Sequence, residues 1–129
     1  MKKECGLSPR GQTLVEFAVL FPLFVMIVFF ILDFGRAIYY FSVIQNAARE
    51  GTRYGIVSPN DTSGIVAQVK SFAVGLDPND ITVTPTQPDD YTIRVQVNYI
   101  FSPVTPIVSS FLSSGQILIH SQSTMRIEK

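Results

Sequence analysis

The chain has 129 residues, enough for one small domain, with ten basic and ten acidic side chains and no formal net charge at neutral pH. Bulk charge therefore offers nothing to a polyanion, and a nucleic-acid partner is not expected. Cys5 is the single cysteine, which excludes an intrachain disulfide framework; no apolar stretch precedes it, so a lipid-modified cysteine is not expected either.

Residues 1–13 carry Lys2, Lys3 and Arg10 against Glu4. In the next 19 residues, Leu14 to Leu32, only Glu16 and Pro22 are neither aliphatic, Phe nor Met. A helix of that length rises ~28 Å at about 1.5 Å per residue, close to the roughly 30 Å hydrocarbon core of a bilayer. The run is a predicted membrane span. The Lys/Arg excess before it predicts a cytoplasmic N-terminus, with the remaining chain outside the cytoplasm. Two rivals fit less well. A buried core helix would have to be wrapped on every side, which a short chain does poorly. A cleaved secretory signal has a shorter apolar core and an A-x-A-type site soon after it, and cleavage after "QNAA" would cut a good helical pattern.

Past Leu32 the helical spacing continues through Phe34, Ala37, Ile38, Phe41, Ile44 and Ala48. One helix is predicted from about Thr13 to about Ile56, ~65 Å long at about 1.5 Å per residue. Pro22 and Gly35 are its candidate bends, Glu50 and Arg53 a weak surface pair, and "SPND" from Ser58 its stop. A second helix over 64–75 follows from Ile65, Val69, Phe72 and Leu76, with Asp61 or Ser63 as cap and Gly75 with "DPND" as its end. The rest reads as strands. "ITVTP" is short and alternating, and "TQPDD" is a turn or short loop. In "YTIRVQVNYIF", Tyr91, Ile93, Val95, Val97, Tyr99 and Phe101 share one face. "SPVTPIVSSFLSSG" is an irregular excursion, and the last run puts Ile117, Ile119, Met125 and Ile127 on one face. The expected fold class is α+β: a long N-terminal helix carrying the span, and a second helix packed on a roughly three-stranded antiparallel sheet.

No enzyme constellation is visible, and the chain is not expected to be an enzyme. His120 falls opposite the apolar face of its strand and has no obvious partner. "DFG" at Asp33 lacks every other kinase element. "DPND" and "PDD" are explained by turn chemistry, because a calcium loop needs more oxygens at set spacing. Neither a metal site nor a cofactor is expected.

Glu16 has two readings. Thr13 and Glu16 form a T-x-x-E capping box, in which the carboxylate reaches back to the Thr13 N–H. Alternatively, an intramembrane carboxylate awaits a specific partner.

"RGQTLVEFAVLFPL" and "DFGRAIYYFSVIQNAAREGTRYG" resemble the TadE-like family of tight-adherence (Tad) pilus assembly systems over residues 10–55. The resemblance implies a pilin-like minor subunit, or pseudopilin, tied to adhesion and secretion machinery and anchored in the cell membrane by a single pass. It implies that 1–11 is a cytoplasmic leader removed by a prepilin peptidase between Gly11 and Gln12. The long helix then covers 12–57, with the span at 14–32, and 58–129 forms an extracytoplasmic α/β domain. Glu16 falls at the fifth mature position, followed by Phe17, and both become assembly residues. Gln12 departs from the phenylalanine common at the first mature position of pilins, which puts N-methylation in doubt more than cleavage. The implied partners are the membrane, the peptidase, other pilin-like subunits and the assembly machinery. Gly35, Ala37, Ala47, Ala48, Gly51 and Gly55 would permit close approach of helices from different subunits; the alternative is that they pack against the chain's own second helix and sheet. Likewise, the alternative to assembly is a permanently anchored extracytoplasmic binding module that keeps its N-terminus.

Overall fold

The computed structural model describes residues 9–105, 110 and 115–127. Most of the charged N-terminal stretch, including Cys5, and most of the excursion after Pro103 lie outside the described residues. Five elements follow in order: α1 (Pro9–Val57), α2 (Thr62–Phe72), β1 (Ile81–Asp89), β2 (Thr92–Phe101) and β3 (Ile117–Arg126). The strands form one antiparallel sheet in the order β1-β2-β3. The α+β arrangement expected from the sequence is the one observed.

α1 is continuous over 49 residues, with Pro22 inside it. A proline there removes one backbone hydrogen bond but does not end the helix, as is common in apolar spans. The helix starts earlier than its spacing implied. Thr13 therefore lies inside it rather than at its cap, and the capping box with Glu16 does not form. Glu50 and Arg53 do not form the expected ion pair; among the described residues, the ion pair on this helix is Arg36–Asp33.

α2 is capped by Asp61, whose carboxylate accepts from the Gly64 N–H at 2.9 Å and the Ser63 hydroxyl at 2.8 Å. The same carboxylate accepts from the Tyr54 hydroxyl of α1 at 2.9 Å, which ties the two helices at their connection. α2 ends sooner than expected, at Phe72. Its buried line is Ile65, Val69 and Ala73, whereas Phe72 is exposed. Leu76 is buried but sits beyond the helix, past a turn in which Gly75 takes a positive φ of 83°. That left-handed step is why the chain needs glycine there.

β1 is longer than its alternation implied, because it continues through Thr86, Gln87 and Pro88 with an irregularity between Thr86 and Asp89. Pro85 and Pro88 are tolerated because β1 is an edge strand, bonded on one side only. β2 pairs with β3 without a break from Thr92–Arg126 to Phe101–Ile117. Tyr91 lies in the turn before β2 and is 52% exposed, so it does not join the inner face. The inner face is Ile93, Val95, Val97, Tyr99 and Phe101, backed by Ile119 and Ile127.

Both helices cover that face. α1 lies over β2 and β3, and α2 lies against α1 and β1. The core joins Ile44, Ala47 and Ala48 of α1, Ile65 and Val69 of α2, and the inner residues of β2. Thr52 is fully buried and satisfies its hydroxyl by donating to the Ala48 carbonyl at 2.7 Å, with the Ser123 carbonyl of β3 3.5 Å away.

Candidate functional site

The N-terminal third of α1 touches no other element. From Leu14 to Leu32 every side chain but that of Val25, which is half-buried, is exposed, including Phe17 at 64% and Phe24 at 63%. Water is a poor solvent for such a surface, and a large contiguous apolar patch marks a membrane or protein interface. The segment is long and apolar enough to cross a membrane and is not buried in the protein.

Gln12, Glu16 and Phe17 are exposed on this segment, and Gly11 is half-buried in its first turns. Gln12 and Glu16 lie one helical turn apart on the same side, ~6 Å along the axis at about 1.5 Å per residue. Phe17 stacks at a tilt on Phe21, with ring centroids 5.5 Å apart. Gln12 and Glu16 share a shallow groove with Val15, Val19 and Leu20. The Gly11–Gln12 bond is thus inside α1 rather than ahead of it.

The small residues divide into two groups. Ala47, Ala48, Gly51 and Gly55 are buried against the chain's own α2 and sheet. A methyl group at Gly51 would overlap Val69, and one at Gly55 would overlap Ile93. Gly35, in contrast, faces open space, and Ala37 is half-buried at the edge of the core.

One further constellation sits where the apolar segment ends. Asp33, the residue after Leu32, is only 6% exposed. Its carboxylate accepts hydrogen bonds from the Val104 N–H at 3.1 Å, the Thr105 N–H at 2.9 Å and the Thr105 hydroxyl. Arg36 Nη1 lies 3.5 Å from Asp33, and Nη2 donates to the Tyr40 hydroxyl at 3.3 Å. The guanidinium also stands over the Phe101 ring, 5.4 Å from its centroid. Burial pushes the Asp33 carboxyl upward, but the Thr105 and Val104 hydrogen bonds and the Arg36 charge together outweigh it and hold the pKa below the usual value. In the sequence, "DFG" at Asp33 lacks every other kinase element and local spacing assigns Asp33 no role. The available signal was a carboxylate at the end of an apolar span, where an unpaired charge is costly. Its partners lie 71 and 72 residues away, so spacing did not reveal them.

His120 is exposed, and its Nδ1 lies 2.6 Å from Asn98 Oδ1 across the β2–β3 pair, so it does have a partner. No group of three or more His, Cys, Asp or Glu able to hold a metal occurs among the described residues.

Residues 11–53 match the family model of the TadE-like protein. The match covers the membrane-span candidate and most of the rest of α1, about a third of the chain. It agrees with the resemblance over residues 10–55. The TadE-like segment thus includes Gly11, Gln12, Glu16 and Asp33 and stops short of α2 and the sheet. No curated protein and no solved structure matches the chain.

Proposed function

We propose that this chain is a pilin-like minor subunit of a Tad-type pilus or related secretion apparatus, inserted in the cell membrane by residues 14–32 with its N-terminus in the cytoplasm. It serves as a structural subunit, not as an enzyme. A prepilin peptidase cuts between Gly11 and Gln12. The supporting observation is the exposed, uncovered N-terminal helix carrying a TadE-like match, with Glu16 at the fifth position from that bond.

The chemistry suits assembly. Cleavage leaves an ammonium on Gln12, and Glu16 of a neighbouring subunit supplies a carboxylate at a similar depth. Two opposite charges in low dielectric attract strongly, but desolvation offsets much of the gain, so the pair sets axial register more than it adds net stability. In the uncleaved chain Thr13 lies inside α1, so Glu16 makes no capping box there. Mass spectrometry of membranes from cells with an active prepilin peptidase is expected to show a chain beginning at Gln12, and Gly11→Ala is expected to abolish it. A chain that keeps its leader whether or not the peptidase is present sinks the processing step.

The second reading is a permanently anchored binding module. It is favoured by Ala47, Ala48 and Gly51, which are already occupied by the chain's own core and leave the outer half of α1 fewer small residues for a neighbour.

A further inference from the structure

We propose that the end of the α/β domain nearest the span is itself a membrane-contact surface, docked in the outer polar layer of the bilayer by the Asp33 clasp. The proposal rests on residues 14–32 spanning the membrane.

The clasp fixes the height of the domain. Asp33 follows the last span residue directly, and it binds the backbone of Val104 and Thr105 in the loop after β2. That loop is therefore held level with the point where α1 leaves the hydrocarbon. An aspartate there needs its hydrogen bonds met by protein, and the loop meets them.

The surface around the clasp changes character at this level. The outward face of the sheet is polar along most of its length: Arg94, Gln96 and Asn98 on β2, and Thr124, Gln122 and His120 on β3. It becomes apolar only at the last outward cross-strand pair, Ile100 and Leu118, at the Asp33 end. Leu118 is 63% exposed and Ile100 38%. Val104, whose backbone is in the clasp, is 67% exposed. On α1 the lipid-facing surface continues past Asp33 through Phe34 at 61% and Ile38 at 52%. These residues come from three elements and one loop, and their shared feature is their level.

The dimensions fit a bilayer. With residues 14–32 filling the roughly 30 Å hydrocarbon core, one headgroup layer adds ~5–7 Å, or about four to five residues of helix, which reaches from Asp33 to about the level of Ala37 and Ile38. The rim thus falls in the outer headgroup layer, where apolar side chains bury, while the Arg36 guanidinium keeps its partners within the protein, Asp33 and the Tyr40 hydroxyl. Lipid is the occupant because the rim is continuous with the span and because the outward face of β2 and β3 is apolar only at the Asp33 end. A partner protein would place no such restriction on the far end of the sheet.

The test uses the full chain in lipid vesicles, with Cys5→Ser and a single cysteine carrying an environment-sensitive fluorophore. V104C and L118C are expected to be quenched by lipids bearing a spin label at the headgroup or the upper acyl chain. D90C, in the turn at the opposite end of the sheet, is expected to remain unquenched. Phe24→Cys reports on the span separately, with quencher deep in the bilayer. Quenching at position 24 with positions 104 and 118 as accessible to water as position 90 overturns the rim while leaving the anchor intact. Positions 104 and 118 shielded from both lipid and water-soluble quencher point to a protein partner and also overturn it. A lack of quenching at position 24 removes the anchor and the rim together. Asp33→Asn, which weakens the clasp, is expected to lower quenching at position 104 several-fold while position 24 stays unchanged.

Discussion

Asp33 and Glu16 are carboxylates on the same helix with opposite surroundings. Asp33 is enclosed by donors from a loop more than seventy residues away, whereas Glu16 is exposed on a helix face with no protein around it. Each supports a separate prediction. Because the Asp33 pKa is lowered in the folded chain, its contribution to stability is present above the unfolded carboxylate value of ~3.9 and is lost as pH falls through the lower folded value. Among the described residues, the charged group facing it is Arg36 on its own helix, and the loop presents Val104 and Thr105 to it. In detergent or lipid, the Thr105 amide resonance should move only below about pH 4 and should not titrate in Asp33→Asn. Movement between pH 5 and 8 would show that the clasp does not hold the carboxylate as described. For Glu16→Gln the expectation is different. The thermal midpoint of the α/β part should stay within about 2–4 °C, since surface changes are usually within ±0.5 kcal/mol. Co-purification of partner pilin-like subunits should fall sharply. Normal partner recovery would remove Glu16 from assembly.

The glycines of α1 show how an element's surroundings decide the sign of one substitution. Gly51→Ala pushes a methyl into Val69, a short, stiff, fully buried side chain that cannot swing away. Overpacking of this kind costs about 1–3 kcal/mol, more than the ~1 kcal/mol gained in helix propensity. Gly55→Ala meets the tip of Ile93, which has another rotamer to try, so a smaller loss is expected. Gly35→Ala meets nothing and should be neutral or slightly stabilising. Urea unfolding of the three variants should rank them Gly51, Gly55, Gly35 from most to least destabilised; an unaffected Gly51→Ala contradicts the packing.

At this scale the sequence was informative where periodicity was long. α1, the inner face of β2 and the apolar face of β3 were legible because each repeats its spacing many times. The element ends were not. Pro85 and Pro88 read as breakers, yet an edge strand accommodates them because it needs donors on one side only. Phe72 fits the helical spacing of α2, but the helix turns its Ala73 side to the sheet. Tyr91 continues an alternating pattern across a turn that alternation cannot detect. The Asp33 clasp was hidden for a different reason: a contact between residues seventy apart leaves no local pattern.

Taken whole, the molecule divides by solvent. One stretch of α1 is clothed by nothing in the protein, and the other supports a sheet whose inner face it shares with α2. The TadE-like match belongs to the first stretch and the beginning of the second, so the part of the chain with a recognisable relation includes the exposed apolar segment. The small C-terminal domain packs on α1 through residues far apart in sequence. Thr52 approaches Ser123 across 71 positions, and Asp33 reaches Thr105 across 72. That separation has a consequence for biogenesis. In the proposed orientation the chain emerges outside the cytoplasm in N-to-C order, and β3 is the last strand to arrive. Before α2 and β2 have followed α1, Gly51 and Gly55 lack the Ile65, Val69, Ile93 and Val95 side chains that cover them in the finished fold. During that interval the emerging helix would expose the small-residue stripe that the finished fold conceals, so a neighbouring subunit and the chain's own fold would compete for one surface.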